Sequence, residues 1–558
     1  MSVFGIDLGT TYSCIAKYNP EINKPEAISD NATSRTLTPS VIYFEPDSEK
    51  IIVGKTAIEA LSQDPSRGIR LIKRSMGRDD ELLTIGGNGY NAHELSAFIL
   101  RYLKEYVENQ TGETVEDVVI TVPAYFGYPE RQATEKAGIA AGLNVRALIE
   151  EPTAAALSYF AEYKGSDPIN VFVYDLGGGT FDISALTMTV HEDGRKYARV
   201  LKTDGNHQLG GANWDSLLFE LAKRKFTEKY PDEQLDPDTE ERIFTQTEEK
   251  KKSLTAKDKA VFRLGHEKNV EVTREEFESE TKTLLAMTEV LCENVRNSDE
   301  LSGIKFDKVL LTGGSSNMPA VHEMIEKVFP GCEILMTDFN EAVAKGAAIA
   351  CHLIECSLWP SVGVGPEPPV GPEPPVGPEP PVEQELPVEQ ELPEMFYAPR
   401  VPKALGFRVR DEQGNLIINV RFFKGEELDN KTHSLTKIIT DYRTTRDNMD
   451  SVKVAVFELV YENTANPDVP VDWADNEHKE VAGVNSFQIR YLGELKMPLE
   501  PNQPARTPLT LIVTVSESGI RMECFNASVP DSKHYDCTIP LVSDIDPEKI
   551  GGYTVDSE

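Results

Sequence analysis

Cysteine is sparse and unpatterned in this chain: seven residues, at positions 14, 292, 332, 351, 356, 524 and 537, with no C-x-x-C pair. That spacing excludes a disulfide framework and the common zinc and dithiol motifs, and predicts reduced thiols. Basic side chains are outnumbered, 57 Lys and Arg against 92 Asp and Glu, for a net charge of −35. A chain so acidic does not neutralise phosphate backbones, which excludes sequence-general binding to nucleic acid. The charge favours solubility and says nothing about fold. No apolar run approaches the ~20 residues of a helical membrane span. The first motif begins at Phe4, which leaves no room ahead of it for a secretory signal. The expectation is a cytoplasmic protein with neither nucleic acid nor membrane as a partner.

What is present is a phosphate signature, twice. Ile6-Asp7-Leu8-Gly9-Thr10-Thr11 recurs 168 residues later as Tyr174-Asp175-Leu176-Gly177-Gly178-Gly179-Thr180. In each copy an apolar run ends on an Asp, followed by small residues and a Thr. Such a strand–turn–strand offers a carboxylate to a hydrated metal while bare backbone N–H groups wrap a phosphate. One copy alone would be an ordinary tight turn. Two copies imply similar half-domains facing one nucleotide. Mg²⁺ prefers one or two carboxylates with waters and phosphate oxygens, so Asp7 and Asp175 across a nucleotide suit it. Thr10, Thr11 and Thr180 add hydroxyls, and Gly9, Gly177, Gly178 and Gly179 let the backbone approach the β- and γ-phosphates.

The 558 residues predict roughly three to four domains. Residues 1–355 alternate β-branched runs with amphipathic stretches, an α/β pattern. Val118–Val122 reads as a buried strand stopped by Pro123, residues 129–141 as a helix, 144–149 as extended, and 152–160 as a helix with an Ala-rich face. Residues 215–300, rich in helix formers and charge, predict a helical insertion. Residues 356–394 form a linker in which Gly-Pro-Glu-Pro-Pro-Val occurs three times and Glu-Gln-Glu-Leu-Pro twice. That composition predicts an extended acidic polyproline-II spacer, whose thirty repeat residues would reach on the order of 90 Å. Residues 395–545 show strand periodicity at 452–456, 487–491 and 509–515, which predicts an antiparallel β-sandwich. The polar tail, 546–558, is expected to fray.

Five further motifs accompany the doubled signature: Thr121-Val122-Pro123-Ala124-Tyr125-Phe126, Arg131-Gln132-Ala133-Thr134, Glu151-Pro152-Thr153-Ala154-Ala155-Ala156-Leu157, Leu209-Gly210-Gly211 and Gly313-Gly314-Ser315. Together they closely resemble the 70-kilodalton heat-shock chaperone family, whose superfamily also contains actin and sugar kinases. The resemblance covers residues 1–355; segments 77–115 and 255–275 look shorter than usual, which suggests a trimmed branch. It implies an actin-like ATPase domain of two duplicated lobes, with ATP or ADP, Mg²⁺ and K⁺ as cofactors. Asp7 and Asp175 would be the metal-organising acids, joined through water by Glu151, and Asp182 a third acid near the attacking water. Lys73, from the residues alone one lysine among many, matches the catalytic lysine. Thr11 resembles the γ-phosphate-contacting threonine and Thr180 the one some members autophosphorylate. Glu151 and Pro123 resemble the switch between the phosphate site and the opposite face. Gly210, Gly211, Glu248, Lys251, Lys252, Thr255, Gly313, Gly314 and Ser315 fall at nucleotide-binding positions.

Departures are equally specific. Asn317 stands where an Arg usually stacks on adenine, which predicts looser nucleotide binding. Asn340 replaces a usual Asp. Glu150 and Ala147 replace an Asn and an Arg that meet the J-domain partner and the linker. The short apolar linker is reduced to Met395-Phe396-Tyr397 behind the long spacer, which lowers the effective concentration of one domain at the other and predicts weak coupling. The second domain resembles, more faintly, the family's peptide-binding sandwich without its helical lid. Phe407, Val452 and Val454 are groove candidates, with plain sandwich core as the alternative. The resemblance thus implies an ATP-hydrolysing chaperone for unfolded or apolar segments, with a J-domain co-chaperone and a nucleotide exchange factor as partners. An adaptor whose β-domain binds one folded partner is the alternative. A small-molecule kinase or a filament former fits these motifs less well.

Overall fold

The computed structural model describes residues 2–355 and 395–556, apart from 23, 32, 49, 191–195, 266–267, 337–340, 398–399, 412, 414, 427, 430–433, 446, 448, 460–467, 476, 478, 480–488, 500–503, 517, 527–531 and 552. The expectations for the spacer 356–394 and for Asn340 lie outside the described residues.

One strand connectivity is used twice in the first 355 residues. In the first sheet, Val3–Asp7 is antiparallel to Tyr12–Asn19 and parallel to Asp117–Val122, which is parallel in turn to Asn144–Glu150. In the second, Ile169–Leu176 is antiparallel to Phe181–Val190 and parallel to Lys308–Thr312, which is parallel to Glu333–Met336. The signature Asp therefore ends the strand, or lies one residue from its end, at the same place in both sheets. The run Asp117–Val122 is buried at every position, as its unbroken apolar sequence requires.

Two helices, Glu151–Glu162 and Ala342–Glu355, pack against each other between the sheets. Their small residues, Ala154, Ala155, Ala344, Ala347 and Ala348, share one core with Val3 and Ala16 of the first sheet and Val171 and Val173 of the second. The Ala-rich face read in the sequence is the surface that lets both sheets approach. The helix expected over 129–141 is Tyr128–Ala140, and the extended run is Asn144–Glu150. The insertion comprises Gly211–Lys229, Pro237–Ala256 and Arg274–Arg296, with a hairpin of Lys259–Gly265 and Lys268–Thr273 between the last two. The hairpin's alternating burial is a period-two signal lying within 255–275.

Beyond the spacer, Met395–Tyr397 adds a parallel strand to the edge strand Lys196–Asn206 of the second sheet. Residues 404–538 then form two antiparallel sheets, of five and four strands. Their facing residues, among them Phe407, Val454, Val456, Leu511, Val513 and Met522, form one core. Phe407 and Val454 are 0% and 6% exposed, and Val452 is half-buried against the same core. The three groove candidates thus lie in or against the sandwich interior.

The sandwich rests on the first α/β half. Tyr128 is buried within the sandwich core, and its N–H donates to Glu458 Oε2 at 2.8 Å. Gly127, which begins that helix, has no side chain to cap it, so Glu458 supplies the acceptor from across the interface. Arg490 adds bonds to Glu130 Oε1 at 2.7 Å and Gly77 O at 2.8 Å. The polar end does not fray over 547–556: it forms the short helix Pro547–Gly551 and the strand Thr554–Asp556, paired with Lys50–Val53. Composition misleads there because backbone pairing and a few spaced apolar side chains, Ile550, Tyr553 and Val555, hold the segment rather than a continuous apolar run.

Candidate functional site

The two signature turns meet face to face. Gly178 and Gly179 pack on Thr11 and Thr10: a Cβ at Gly178 would lie 1.8 Å from Thr11 Oγ1, and one at Gly179 2.2 Å from Thr10 Cγ2. The threonine side chains of the first loop thus lie directly on the bare backbone of the second, which leaves no room for a side chain at either glycine. A third glycine pair closes the second loop from behind, where Gly211 N–H donates to Gly177 O at 2.9 Å and Ala212 N–H to Gly178 O at 2.8 Å. The helix Gly211–Lys229 starts at that point, so its positive end faces the loop. Gly313, with φ 78°, brings the chain against Asp175: its Cβ would sit 2.4 Å from Asp175 Oδ1. Ser315 Oγ donates to Gly177 O at 3.1 Å, and Leu176 N–H donates to Ser316 Oγ at 3.1 Å.

Between the turns lies a cleft of about 550 Å³. Asp7, Gly9, Thr10, Thr11 and Glu151 line it from one side, and Asp175, Gly177, Gly178, Thr180, Gly313 and Gly314 from the other. Beneath it four carboxylates crowd one ammonium. Lys73 is 4% exposed on the turn Ile72–Ser75, just after Leu71 in a left-handed conformation. Its Nζ donates to Leu8 O at 2.5 Å and pairs with Glu151. Burial, then the Glu151 charge, pushes Asp7 up to about 7, against the opposing pull of Lys73. Burial and the neighbouring acids Glu151, Asp182 and Asp7 hold Asp175 well above the usual carboxylate range. Asp182 is raised by burial and by Glu151; Ala124 N–H donates to its Oδ1 at 2.6 Å, while its Oδ2 is buried without a partner.

Such crowding, with an orphaned carboxylate oxygen, is what a cation would relieve. Among the described residues no three His, Cys, Asp or Glu side chains converge closely enough to chelate an ion directly. A hydrated divalent ion would supply that positive charge, with Asp7, Asp175 and Glu151 as the residues that would hold it through its waters.

A family model described as Hsp70 protein matches residues 3–85 and 80–358. The chain belongs to the Hsp70 family. It is 39% identical over 363 residues to the chaperone protein DnaK of Thermotoga petrophila, covering 63% of this chain and 59% of that one. It is 38% identical over 360 residues to the chaperone protein DnaK of Mesomycoplasma hyopneumoniae, covering 62% and 57%. The chain thus spans under three-fifths of the length of these relatives. The Hsp70 match ends at residue 358, before the sandwich.

At the edge of the cleft this Hsp70 chain joins its first half to the insertion. Lys252 lines the cleft, paired with Glu248 at 2.6 Å, and Tyr12 OH donates to Glu248 Oε1 at 3.3 Å. Lys251 turns away, to Gly211 O at 2.9 Å and Asp215 Oδ2 at 2.8 Å. Thr255 sits beside a separate small cavity near Trp214 and Arg274. The Asn317 amide folds back on Gly314 O at 3.1 Å. Glu150 accepts from Arg131 Nη2 at 2.9 Å, and Ala147 is buried.

Three site residues escaped sequence reasoning. Tyr12 follows the Thr-Thr pair directly. Arg35, a lone cation in a polar loop, lines the cleft. Arg74 reaches from the first half to Gly179 O at 3.1 Å and Asn213 Oδ1 at 2.7 Å. Only the adjacency of Arg74 to Lys73 could have marked it.

Proposed function

We propose that this Hsp70-family chain is an ATP-dependent chaperone, hydrolysing ATP to ADP and phosphate in a cleft between two actin-like lobes. The observation that carries the reading is the meeting of both signature turns over a buried Asp7–Asp175–Asp182–Glu151 cluster with Lys73 at its centre. Backbone N–H groups of the two turns cradle the β- and γ-phosphates, and Thr10, Thr11 and Thr180 add hydroxyls. A bound Mg²⁺, with K⁺ as a companion ion, supplies charge neutralisation at the phosphates. Lys73, oriented by Leu8 O and Glu151, places its remaining donor toward the transferring group and offsets charge that develops there. The free oxygen of Asp182 accepts a hydrogen bond from the attacking water and so aligns it. Both lobes contribute acids, so hydrolysis requires closure of the cleft. Lys252, Glu248 and Tyr12 hold the base side, in place of a stacked arginine.

Unfolded or apolar polypeptide is the proposed client, with a J-domain co-chaperone and a nucleotide exchange factor as partners in a cytoplasmic cycle. One observation favours a second reading for the sandwich. The groove candidates Phe407 and Val454 are interior, and the sandwich is seated on the first half through Tyr128 and Glu458. An adaptor that presents its outer surface to one folded partner uses that arrangement directly. Steady-state ATPase measured with and without an unfolded apolar peptide separates the two: stimulation is expected for the chaperone. Turnover indifferent to peptide, together with capture of a folded protein, would establish the adaptor.

A further inference from the structure

Residues 541–556 leave the sandwich and return across the first α/β half, where they are held in the manner of a bound peptide. Thr554–Asp556 adds in parallel to Lys50–Val53, with Val555 opposite Ile51. Tyr553 enters an aromatic pocket, edge-on to Phe44 at 5.4 Å and Phe98 at 6.1 Å, with its hydroxyl 3.3 Å from that of Tyr90. Side chains of the half read the segment's main chain. Arg101 donates to Ile550 O and Tyr553 O, both at 2.7 Å, and Lys136 to Val542 O at 2.8 Å, while Gln132 Oε1 accepts from Leu541 N–H at 3.0 Å. Lys549 Nζ meets Gly89 O at 2.8 Å and Glu94 Oε1 at 3.1 Å. Val542 and Ile550, each 3% exposed, complete the core of the half.

Strand addition, one aromatic anchor and donors aimed at carbonyls are the means by which a protein surface captures an extended peptide. None of these contacts involves the nucleotide cleft. We propose that the first α/β half carries a peptide site, whose ligand is the chain's own 541–556 segment. This intramolecular ligand adds to the Tyr128, Glu458 and Arg490 contacts and, rather than the spacer, supplies the further hold of the sandwich on that half. The spacer raises the local concentration of the two units to the millimolar scale at most. The strap instead adds a half-buried aromatic ring and a run of directed hydrogen bonds, which persist when the spacer is cut.

The test uses the full chain with a protease site substituted inside residues 371–382, cleaved after folding. The two pieces are expected to co-migrate on size exclusion. Tyr553→Ala should raise their dissociation constant ~10-fold or more, the scale of one aromatic ring largely removed from water. Tyr553→Phe, which keeps the ring, should change it less than ~5-fold. A labelled peptide of residues 541–558 should bind the uncut Tyr553→Ala chain at least ~10-fold more tightly than the uncut unsubstituted chain, whose site is filled. Separation of the unsubstituted pieces overturns the proposal, as does undiminished association in Tyr553→Ala. Equal or absent peptide binding by the two chains also overturns it.

Discussion

Replacing Lys73 by Met should cost both stability and turnover, whereas Glu151→Gln should cost turnover alone. The asymmetry follows from the electrostatics. Lys73 is the one ammonium hydrogen-bonded among four buried carboxylates, and in the ion pair its side chain is 3% exposed against 12% for that of Glu151. Removing one member of a buried pair typically costs about 3–5 kcal/mol because its partner is left uncompensated. Lys73→Met leaves Glu151, Asp7, Asp175 and Asp182 facing one another, so about 3 kcal/mol of destabilisation is expected in nucleotide-free buffer. Glu151→Gln breaks the same pair, but it also removes a charge that raises Asp7, Asp175 and Asp182 alike. Lost attraction and relieved repulsion then offset each other, leaving a change of about 1 kcal/mol or less. In the double variant the pairwise term should exceed about 1 kcal/mol, since the residues are in contact. Single-turnover hydrolysis should fall by about 10²–10³ in Lys73→Met, the usual loss for one donor aimed at developing charge. Urea unfolding and quenched-flow hydrolysis supply the two readouts. Equal destabilisation by the two single variants would refute the electrostatic argument, and retained turnover in Lys73→Met would remove the lysine from the chemistry.

Two further outcomes follow from the same site. Gly313→Ala places a Cβ 2.4 Å from Asp175 Oδ1 at a φ of 78°, so it should destabilise the chain by about 2 kcal/mol and weaken ATP binding. A shift below about 0.5 kcal/mol in urea unfolding would show that the loop has room. The carboxyl of Asp7 sits at about 7 in the folded chain against 3.8 in a free one, so between those values the folded state binds more protons than the unfolded. Stability without metal or nucleotide should therefore fall as pH rises from about 4 to about 7 and level off above that, and saturating Mg²⁺ and ATP should flatten that slope. A denaturation midpoint that climbs over the same range would contradict the crowded-carboxylate account.

Much of the α/β region was legible because its signals are local. An apolar run stopped by Asp-Leu-Gly predicts a strand and a tight turn wherever it occurs, and doubling it at half-domain spacing predicts the repeated connectivity of the two sheets. The Ala-rich run after Glu151 likewise announced a helix in close packing. Signals failed where the deciding partner is distant in sequence. Arg74 and Tyr12 carry no mark of their own; their roles arise from Gly179 and Glu248, which only folding brings near. Strand alternation around Phe407 and Val454 is the same for a groove wall as for a sandwich interior, and the second sheet decides between them.

From sequence alone came the groups on offer: two glycine-rich signature turns with their acids, an excess of acidic side chains and a break in composition between two kinds of texture. Tertiary structure decided which groups meet. It turned Lys251 toward Asp215, folded the Asn317 amide back on Gly314, set Glu458 at the start of a helix some 330 residues away, and laid a polar segment into an aromatic pocket. Local sequence determines the conformations a segment favours, whereas long-range contacts depend on burial and pairing summed over the whole chain.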